Sequence, residues 1–162
     1  GKGSSFWFEL PLEAAPDVAV PAAAQASAPR ERRRFDILVA EDHPVNQQLI
    51  AALLKREGHR VTVVPNGERA VQAVQDHNFD LVLMDIQMPV LDGIGATRAI
   101  RALTSPVAAI PIVAITANAL RGDMETYLSA GMTGYVSKPL RIDAMREAME
   151  SAVPRVEERL AG

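Results

Sequence analysis

Three acidic residues follow apolar runs that read as buried strands in this chain of 162 residues. The stretch "DLVLMDIQMP" (80–89) ends its apolar run at Asp85. A second run, "FDILVA" (35–40), is followed directly by Glu41 and Asp42. Acids brought together repel one another and need a cation. Because this set offers oxygen ligands without His or Cys, it favours a hard ion, and Mg²⁺ suits a few carboxylates with waters and a phosphate.

Two other apolar runs are followed by groups that could hold a phosphoryl group. The run "AIPIVAIT" (109–116) ends at Thr116, a hydrogen-bond donor, and "GYVS" (134–137) is followed by Lys138. The lysine ammonium suits a phosphoryl oxygen, and a carboxylate beside a metal can attack phosphorus to give an acyl phosphate. Taken alone, Asp85 could equally be a cap or a turn residue. Four such run ends together favour one phosphoryl site.

Strand and helix patterns alternate from Phe35 onward. Apolar runs predict strands at 35–40, 59–64, 79–84, 109–116 and 134–137. Amphipathic spacing, with Pro44 at a helix start and Asn66 as a cap, predicts helices at 44–58, 66–77, 93–103, 119–131 and 141–153. This alternation predicts an α/β fold with a parallel sheet and helices on both faces. Ligands bind such sheets at the carboxyl ends of the strands, where the groups named above should meet.

Composition restricts the class of protein. The chain is 48% hydrophobic and 23% charged, as globular domains are. The absence of cysteine excludes disulfides and thiolate metal sites. A net charge of −3 argues against nucleic acid as the main partner. No apolar run approaches the ~20 residues of a membrane span, so this fragment is expected to make no membrane contact.

The folded part is predicted to begin near residue 35. Residues 1–12, "GKGSSFWFELPL", alternate like a strand, and residues 13–34 form an Ala- and Pro-rich linker. The main domain is expected at 35–155, followed by a short tail at 156–162. Because the chain starts at Gly1 without a signal peptide, we expect it to be part of a longer protein.

Four motifs resemble the receiver domain of two-component response regulators. They are "ILVAEDHPVNQ" (37–47), "LVLMDIQMPVLDG" (81–93), "IPIVAITANA" (110–119) and "GYVSKPL" (134–140). The "PVNQ" and "MDIQMP" variants resemble receivers attached to hybrid sensor histidine kinases. Residues 1–12 resemble the last strand of a histidine kinase ATP-binding domain, and would be a remnant of it. The resemblance implies a flavodoxin-like, doubly wound sheet of five parallel strands in the order 2-1-3-4-5, with five helices.

The resemblance also assigns roles to the site residues. It implies that Asp85 is the phosphoacceptor and that Mg²⁺ is held by Asp42, Asp85, the Gln87 carbonyl and, through water, Glu41. The phosphoryl oxygens would be held by Lys138, Thr116 and the amide of Ala117. Tyr135 would change rotamer as Thr116 moves. His43 stands where such receivers usually have Asn, and we interpret it as a turn residue.

The resemblance implies partners and a place in the cell. The phosphoryl group would come from the phosphohistidine of a histidine kinase domain, and would switch the conformation of the receiver or pass to a histidine phosphotransfer protein. The receiver would catalyse its own phosphorylation and dephosphorylation, and the parent protein would be a histidine kinase. The fragment would be cytoplasmic, within a parent that could be membrane-anchored.

Two alternatives remain open from the sequence. One is a receiver that docks partners without being phosphorylated. The other is a Mg²⁺-dependent hydrolase of the haloacid dehalogenase type, which also forms an aspartyl phosphate. Those enzymes carry a second Asp two residues after the nucleophile, and here that position is Gln87.

Overall fold

The computed structural model describes residues 33–117 and 121–153. The predicted strand remnant at 1–12, the linker at 13–34 apart from its last two residues, and the tail at 156–162 lie outside the described residues. So do the first two residues of the helix predicted at 119–131.

The described residues form one parallel sheet flanked by helices. The strands are β1 (Asp36–Ala40), β2 (Arg60–Val64), β3 (Leu81–Asp85), β4 (Ile112–Thr116) and β5 (Gly134–Ser137). The helices are α1 (Pro44–Arg56), α2 (Gly67–Asp76), α3 (Gly93–Arg101), α4 (Arg121–Ser129) and α5 (Ile142–Ala152). Neighbouring strands lie in the order β2-β1-β3-β4-β5, and every pairing is parallel, which confirms the predicted fold.

Two hydrophobic cores cover the two faces of the sheet. Alternate residues of each central strand point to opposite faces. Leu81 and Leu83 of β3 belong to the core that contains α1 and α5, whereas Val82 and Met84 belong to the core that contains α2, α3 and α4. Every residue of β3 and β4 is buried, as expected for central strands covered on both sides.

Local sequence signals set the helix ends. Pro44 is the first residue of α1, where its missing N–H and fixed φ cost nothing. The Asn66 side chain accepts a 2.9 Å hydrogen bond from the backbone N–H of Arg69 and caps α2. Gly58 follows α1 with φ of 94°, a conformation that glycine adopts without a steric penalty.

Most element boundaries differ from the sequence prediction by one or two residues, and two of the differences are informative. The strand predicted from 109 begins at Ile112, because Pro106–Ala109 form a 3-10 helix instead. Strand β3 continues to Asp85, which pairs with Ile115 of β4. Asp85 is therefore fixed inside the ladder rather than in the loop behind it. Among the described residues, no helix is both long enough and apolar enough to cross a membrane.

Candidate functional site

Three carboxylates meet at the carboxyl edge of the sheet. Asp85 ends β3, while Glu41 and Asp42 directly follow β1, the neighbouring strand. One carboxylate oxygen from each residue lies within 4.8 Å of the other two. Glu41 and Asp85 are buried and Asp42 is exposed, so the cluster opens to solvent on the Asp42 side.

Lys138 is the cation of this cluster. Its Nζ lies 2.7 Å from Asp85 Oδ2 and 3.1 Å from Glu41 Oε2. Its backbone N–H donates to the Thr116 carbonyl over 2.7 Å, which fixes the chain after β5 against the end of β4. Among the described residues, one ammonium thus contacts two of the three acids, and the cluster retains an excess of negative charge.

Glu41 receives further donors from the start of α1. The side-chain amide of Asn46 donates to Glu41 Oε1 over 2.9 Å, and the His43 backbone N–H donates to the same oxygen over 3.2 Å. Gln47 Nε2 donates to the Glu41 carbonyl over 2.7 Å. Roles for Asn46 and Gln47 were not predicted from the sequence. The available signal was an amide side chain in the first helical turn after an acid at the end of a strand.

The environment separates the pKa values of the two buried acids. Burial raises the pKa of Asp85 and the charge of Glu41 raises it further, against the lowering effect of Lys138 and of the Gln87 N–H. Burial also acts to raise the pKa of Glu41, but the hydrogen bonds from Asn46 and Lys138 outweigh it, and this pKa lies below its usual value. Lys138 is half-buried, which acts to lower its pKa, but its two acidic partners outweigh this and raise it. Negative charge is therefore less stabilised on Asp85 than on Glu41.

The loop between β3 and α3 packs tightly against Asp85. The Gln87 N–H donates to Asp85 Oδ1 over 3.2 Å, and the Gly93 N–H donates to the Ile86 carbonyl over 3.0 Å. A Cβ at Gly93 would collide with the carbonyl oxygen of Asp85, so the close approach requires glycine. This contact holds the start of α3 against the end of β3 and so fixes the loop that carries Gln87.

The same loop contains a strained turn. Val90 has φ of 70°, and the Leu91 N–H donates to the Pro89 carbonyl over 2.9 Å, which describes a γ-turn. This backbone conformation is a rare one for a β-branched residue. Val90 is also 78% exposed, so burial of its side chain does not offset the strain.

Thr116 and Tyr135, which are expected to move together, lie in different surroundings. Thr116 is buried at the end of β4, and its hydroxyl lies 3.0 Å from the hydroxyl of Tyr127 of α4. Ala117 is exposed beside it, and Tyr135 of β5 is 37% exposed. Tyr127 was not predicted from the sequence, because an aromatic residue in a helix usually indicates core packing.

The donor set fits a hard divalent cation. Carboxylate oxygens are the ligands that Mg²⁺ and Ca²⁺ prefer, and this acidic cluster, which one ammonium contacts within the described part of the chain, has charge left to neutralise. Asp42, the exposed member, lies where an ion could reach the buried pair from solvent. Asp85 combines a fixed backbone with a nearby ammonium that orients its carboxylate, which together suit a nucleophile at such a site.

The chain is similar to the receiver regions of several sensor kinases. It is 36% identical over 151 residues to the sensor histidine kinase AruS of Pseudomonas aeruginosa, covering 92% of this chain and 14% of that protein. It is 42% identical over 119 residues to the sensor protein GacS of Pseudomonas syringae, covering 72% of this chain and 13% of that protein. The chain therefore spans about a seventh of the length of these relatives.

A solved structure resembles this one over the same region. The crystal structure of the receiver domain of sensor histidine kinase PA1611 from Pseudomonas aeruginosa is 43% identical, with a TM-score of 0.68, and covers 75% of this chain and 98% of that one. That domain holds a magnesium ion in its active site cleft. Residues 37–150 of the present chain match the response regulator receiver domain family. That range includes all of the sheet except Asp36, together with the acidic cluster and Lys138, and the chain belongs to this family.

Proposed function

We propose that Asp85 accepts a phosphoryl group in a two-component phosphorelay, with Mg²⁺ as cofactor. The observation that carries this proposal is the meeting of Glu41, Asp42 and Asp85 around the ammonium of Lys138 at the carboxyl edge of the sheet. The magnesium in the related PA1611 receiver supports the choice of metal.

The residues of the site divide into two groups in this proposal. The metal would be held by Asp42, Asp85, the Gln87 carbonyl and, through water, Glu41. When bound, Mg²⁺ would neutralise charge on the phosphoryl oxygens. The residues that hold those oxygens would be Lys138, Thr116 and the backbone amide of Ala117.

The reaction at Asp85 is a displacement at phosphorus. A carboxylate oxygen of Asp85 forms the new bond to phosphorus, while the bond from phosphorus to the donor nitrogen breaks and the electron pair leaves with the imidazole. Lys138 holds Asp85 Oδ2 at 2.7 Å and Gln87 holds Oδ1, so the carboxylate is oriented before the donor arrives. Glu41 keeps Lys138 at the cluster by its own 3.1 Å contact.

The partners follow from the family and are part of the proposal. The donor is the phosphohistidine of a histidine kinase domain, and the acceptor downstream is a histidine phosphotransfer protein. The relatives AruS and GacS are sensor proteins many times longer than this chain, which supports a histidine kinase as the parent. The receiver would act on the cytoplasmic side, and Thr116 with Tyr135 would carry the conformational response.

Incubation with acetyl phosphate tests the proposal directly. Intact-mass measurement should show one added phosphoryl group on the wild-type chain with Mg²⁺, and none after chelation with EDTA. Asp85→Asn should remain unmodified, whereas Asp76→Asn, which changes an exposed acid at the end of α2, should be modified like wild type. Modification of Asp85→Asn would contradict the assignment. A wild-type chain that stays unmodified would favour docking without phosphorylation.

A further inference from the structure

The hydroxyls of Thr116 and Tyr127 share a buried hydrogen bond of 3.0 Å. Thr116 is 3% exposed and Tyr127 is 6% exposed. Tyr127 lies in α4 and packs in the core that also contains Ile112 and Ala114 of β4. Thr116 continues that alternation along β4, two residues after Ala114, so its hydroxyl lies on the face of the sheet covered by α4.

Asp85 points to the other face of the same sheet. Its neighbours at alternate positions, Leu81 and Leu83, belong to the core with α1 and α5. Asp85 pairs with Ile115, the residue just before Thr116, so the acid and the hydroxyl stand at adjacent strand ends. A Thr116 hydroxyl that contacts a phosphoryl group on Asp85 must therefore turn away from Tyr127.

We propose that Tyr127 is a positioning residue that holds Thr116 in its resting orientation, and so opposes engagement of a phosphoryl group at Asp85. This inference rests on the proposed function of Asp85 and Thr116. The hydrogen bond is present only while Thr116 points to α4 and is lost when Thr116 turns. The hydrogen bond thus favours the resting orientation of Thr116. Only chains in the other orientation can engage a phosphoryl group through Thr116, so the apparent affinity of the site falls in proportion to the fraction of such chains.

The hydroxyl of Tyr127 can be removed without removing the ring. Tyr127→Phe keeps the aromatic packing of α4 and deletes the hydroxyl that bonds to the Thr116 hydroxyl. A neutral intramolecular hydrogen bond changes an equilibrium by about fivefold. The variant should therefore bind a phosphoryl mimic about fivefold more tightly than wild type does.

Beryllofluoride with Mg²⁺ is the probe, because it mimics a phosphoryl group on a carboxylate without forming an acyl phosphate that would hydrolyse during the measurement. The apparent dissociation constant is measured on the full chain by amide NMR titration. Ser129→Ala is the matched control, since it deletes an exposed hydroxyl of the same helix. Among the described contacts, this hydroxyl donates only to the Thr126 carbonyl, within α4. It should bind the probe as wild type does.

A second background separates positioning from structural support. In Thr116→Val the threonine hydroxyl is absent, so adding Tyr127→Phe should leave the dissociation constant unchanged. An equal affinity of Tyr127→Phe and wild type would overturn the inference. So would the same gain in both backgrounds, because Tyr127 would then act without Thr116. A wild-type chain that binds no beryllofluoride with Mg²⁺ would overturn the proposed function, and this inference with it.

Discussion

Glu41 and Asp85 share the ammonium of Lys138, but they differ in their other donors. Glu41 also accepts hydrogen bonds from Asn46 and from the His43 backbone, whereas Asp85 accepts one from the Gln87 backbone. The more strongly bonded acid has the lowered pKa and the less strongly bonded one has the raised pKa. Glu41 is thus suited to anchor the lysine, whereas the carboxylate of Asp85, which accepts fewer hydrogen bonds, is suited to react.

Replacement of Asn46 should expose how much Glu41 depends on its amide partner. Asn46→Ala removes the 2.9 Å donor from a fully buried, ionised carboxylate. The loss should lower the free energy of unfolding by about 1–3 kcal/mol, measured by urea denaturation at neutral pH. Gln75→Ala, which removes an exposed amide from α2, should change it by less than about 0.5 kcal/mol. Equal losses in the two variants would contradict the role of Asn46.

His59 should make stability depend on pH at the opposite edge of the sheet. Its Nδ1 accepts a 3.2 Å hydrogen bond from the Phe35 N–H, and its ring stacks on that phenyl ring at 5.4 Å. Burial lowers the pKa of His59 and Arg146 lowers it further, against the raising effect of Glu57. Because the folded pKa lies below the unfolded value, the contribution of His59 to stability is complete above about pH 6.5 and is lost as the pH falls through the folded pKa.

Urea denaturation at several pH values measures this dependence. The free energy of unfolding of the wild type should fall between about pH 7 and pH 5, by no more than about 1.4 kcal/mol per pH unit for this one proton. His59→Gln should show a flatter profile over the same range, because glutamine does not titrate. His77→Gln, at the exposed end of α2, should follow the wild type. A wild-type profile in His59→Gln would show that another group titrates.

The elements of the fold were largely predictable from the sequence, and the exceptions have local causes. Apolar runs and caps placed all five strands and five helices, because buried parallel strands and amphipathic helices leave strong periodic signals. The 3-10 helix at Pro106–Ala109 was missed because its four residues have no period of their own. Asn46 and Tyr127 were missed for another reason: their roles depend on which polar atoms tertiary packing brings together.

The junction between β3 and α3 depends on a glycine whose importance the structure reveals. Gly93→Ala would force its Cβ against the Asp85 carbonyl, and neither backbone can yield easily. We expect this variant to lose about 1–3 kcal/mol of unfolding free energy, the usual cost of overpacking, or more. Its Mg²⁺ affinity should also weaken, because the loop that carries Gln87 would shift. Urea denaturation and a Mg²⁺ titration followed by amide NMR measure the two effects.

Gly134 in β5 provides the matched control for Gly93. A Cβ added at Gly134 meets no atom within 4 Å. Gly134→Ala should therefore keep the stability of the wild type or gain slightly, since alanine restricts the unfolded chain. If Gly93→Ala were as stable as Gly134→Ala, the contact between α3 and the end of β3 would be far looser than the structure indicates.

Across the whole molecule, the site unites segments that are distant along the chain. Asp85 ends one strand, Glu41 and Lys138 follow two others, and the three meet only when the sheet has formed. The acidic cluster concentrates like charge in the folded state, and unfolding separates it. The sequence indicated this convergence because parallel strands bring their carboxyl ends to one edge. It could not indicate that Glu41 would be fully buried and Asp42 exposed, since burial depends on how α1 covers the strand ends.

Mg²⁺ should therefore stabilise the whole fold rather than the loops alone. If the ion binds the folded cluster and not the unfolded chain, mass action adds ~2.7 kcal/mol to the free energy of unfolding at a hundredfold excess over the dissociation constant. Urea denaturation with and without Mg²⁺ measures the gain. Asp42→Ala, which removes the exposed acid of the cluster, should gain far less, whereas Asp76→Ala, which removes an exposed acid outside the cluster, should gain as much as wild type.

Without metal, Asp85→Asn should be more stable than wild type by on the order of 1 kcal/mol, because it relieves like-charge repulsion. A wild-type chain that gains nothing from Mg²⁺, together with an Asp85→Asn variant that is no more stable without it, would show that these carboxylates neither repel one another appreciably nor bind the ion.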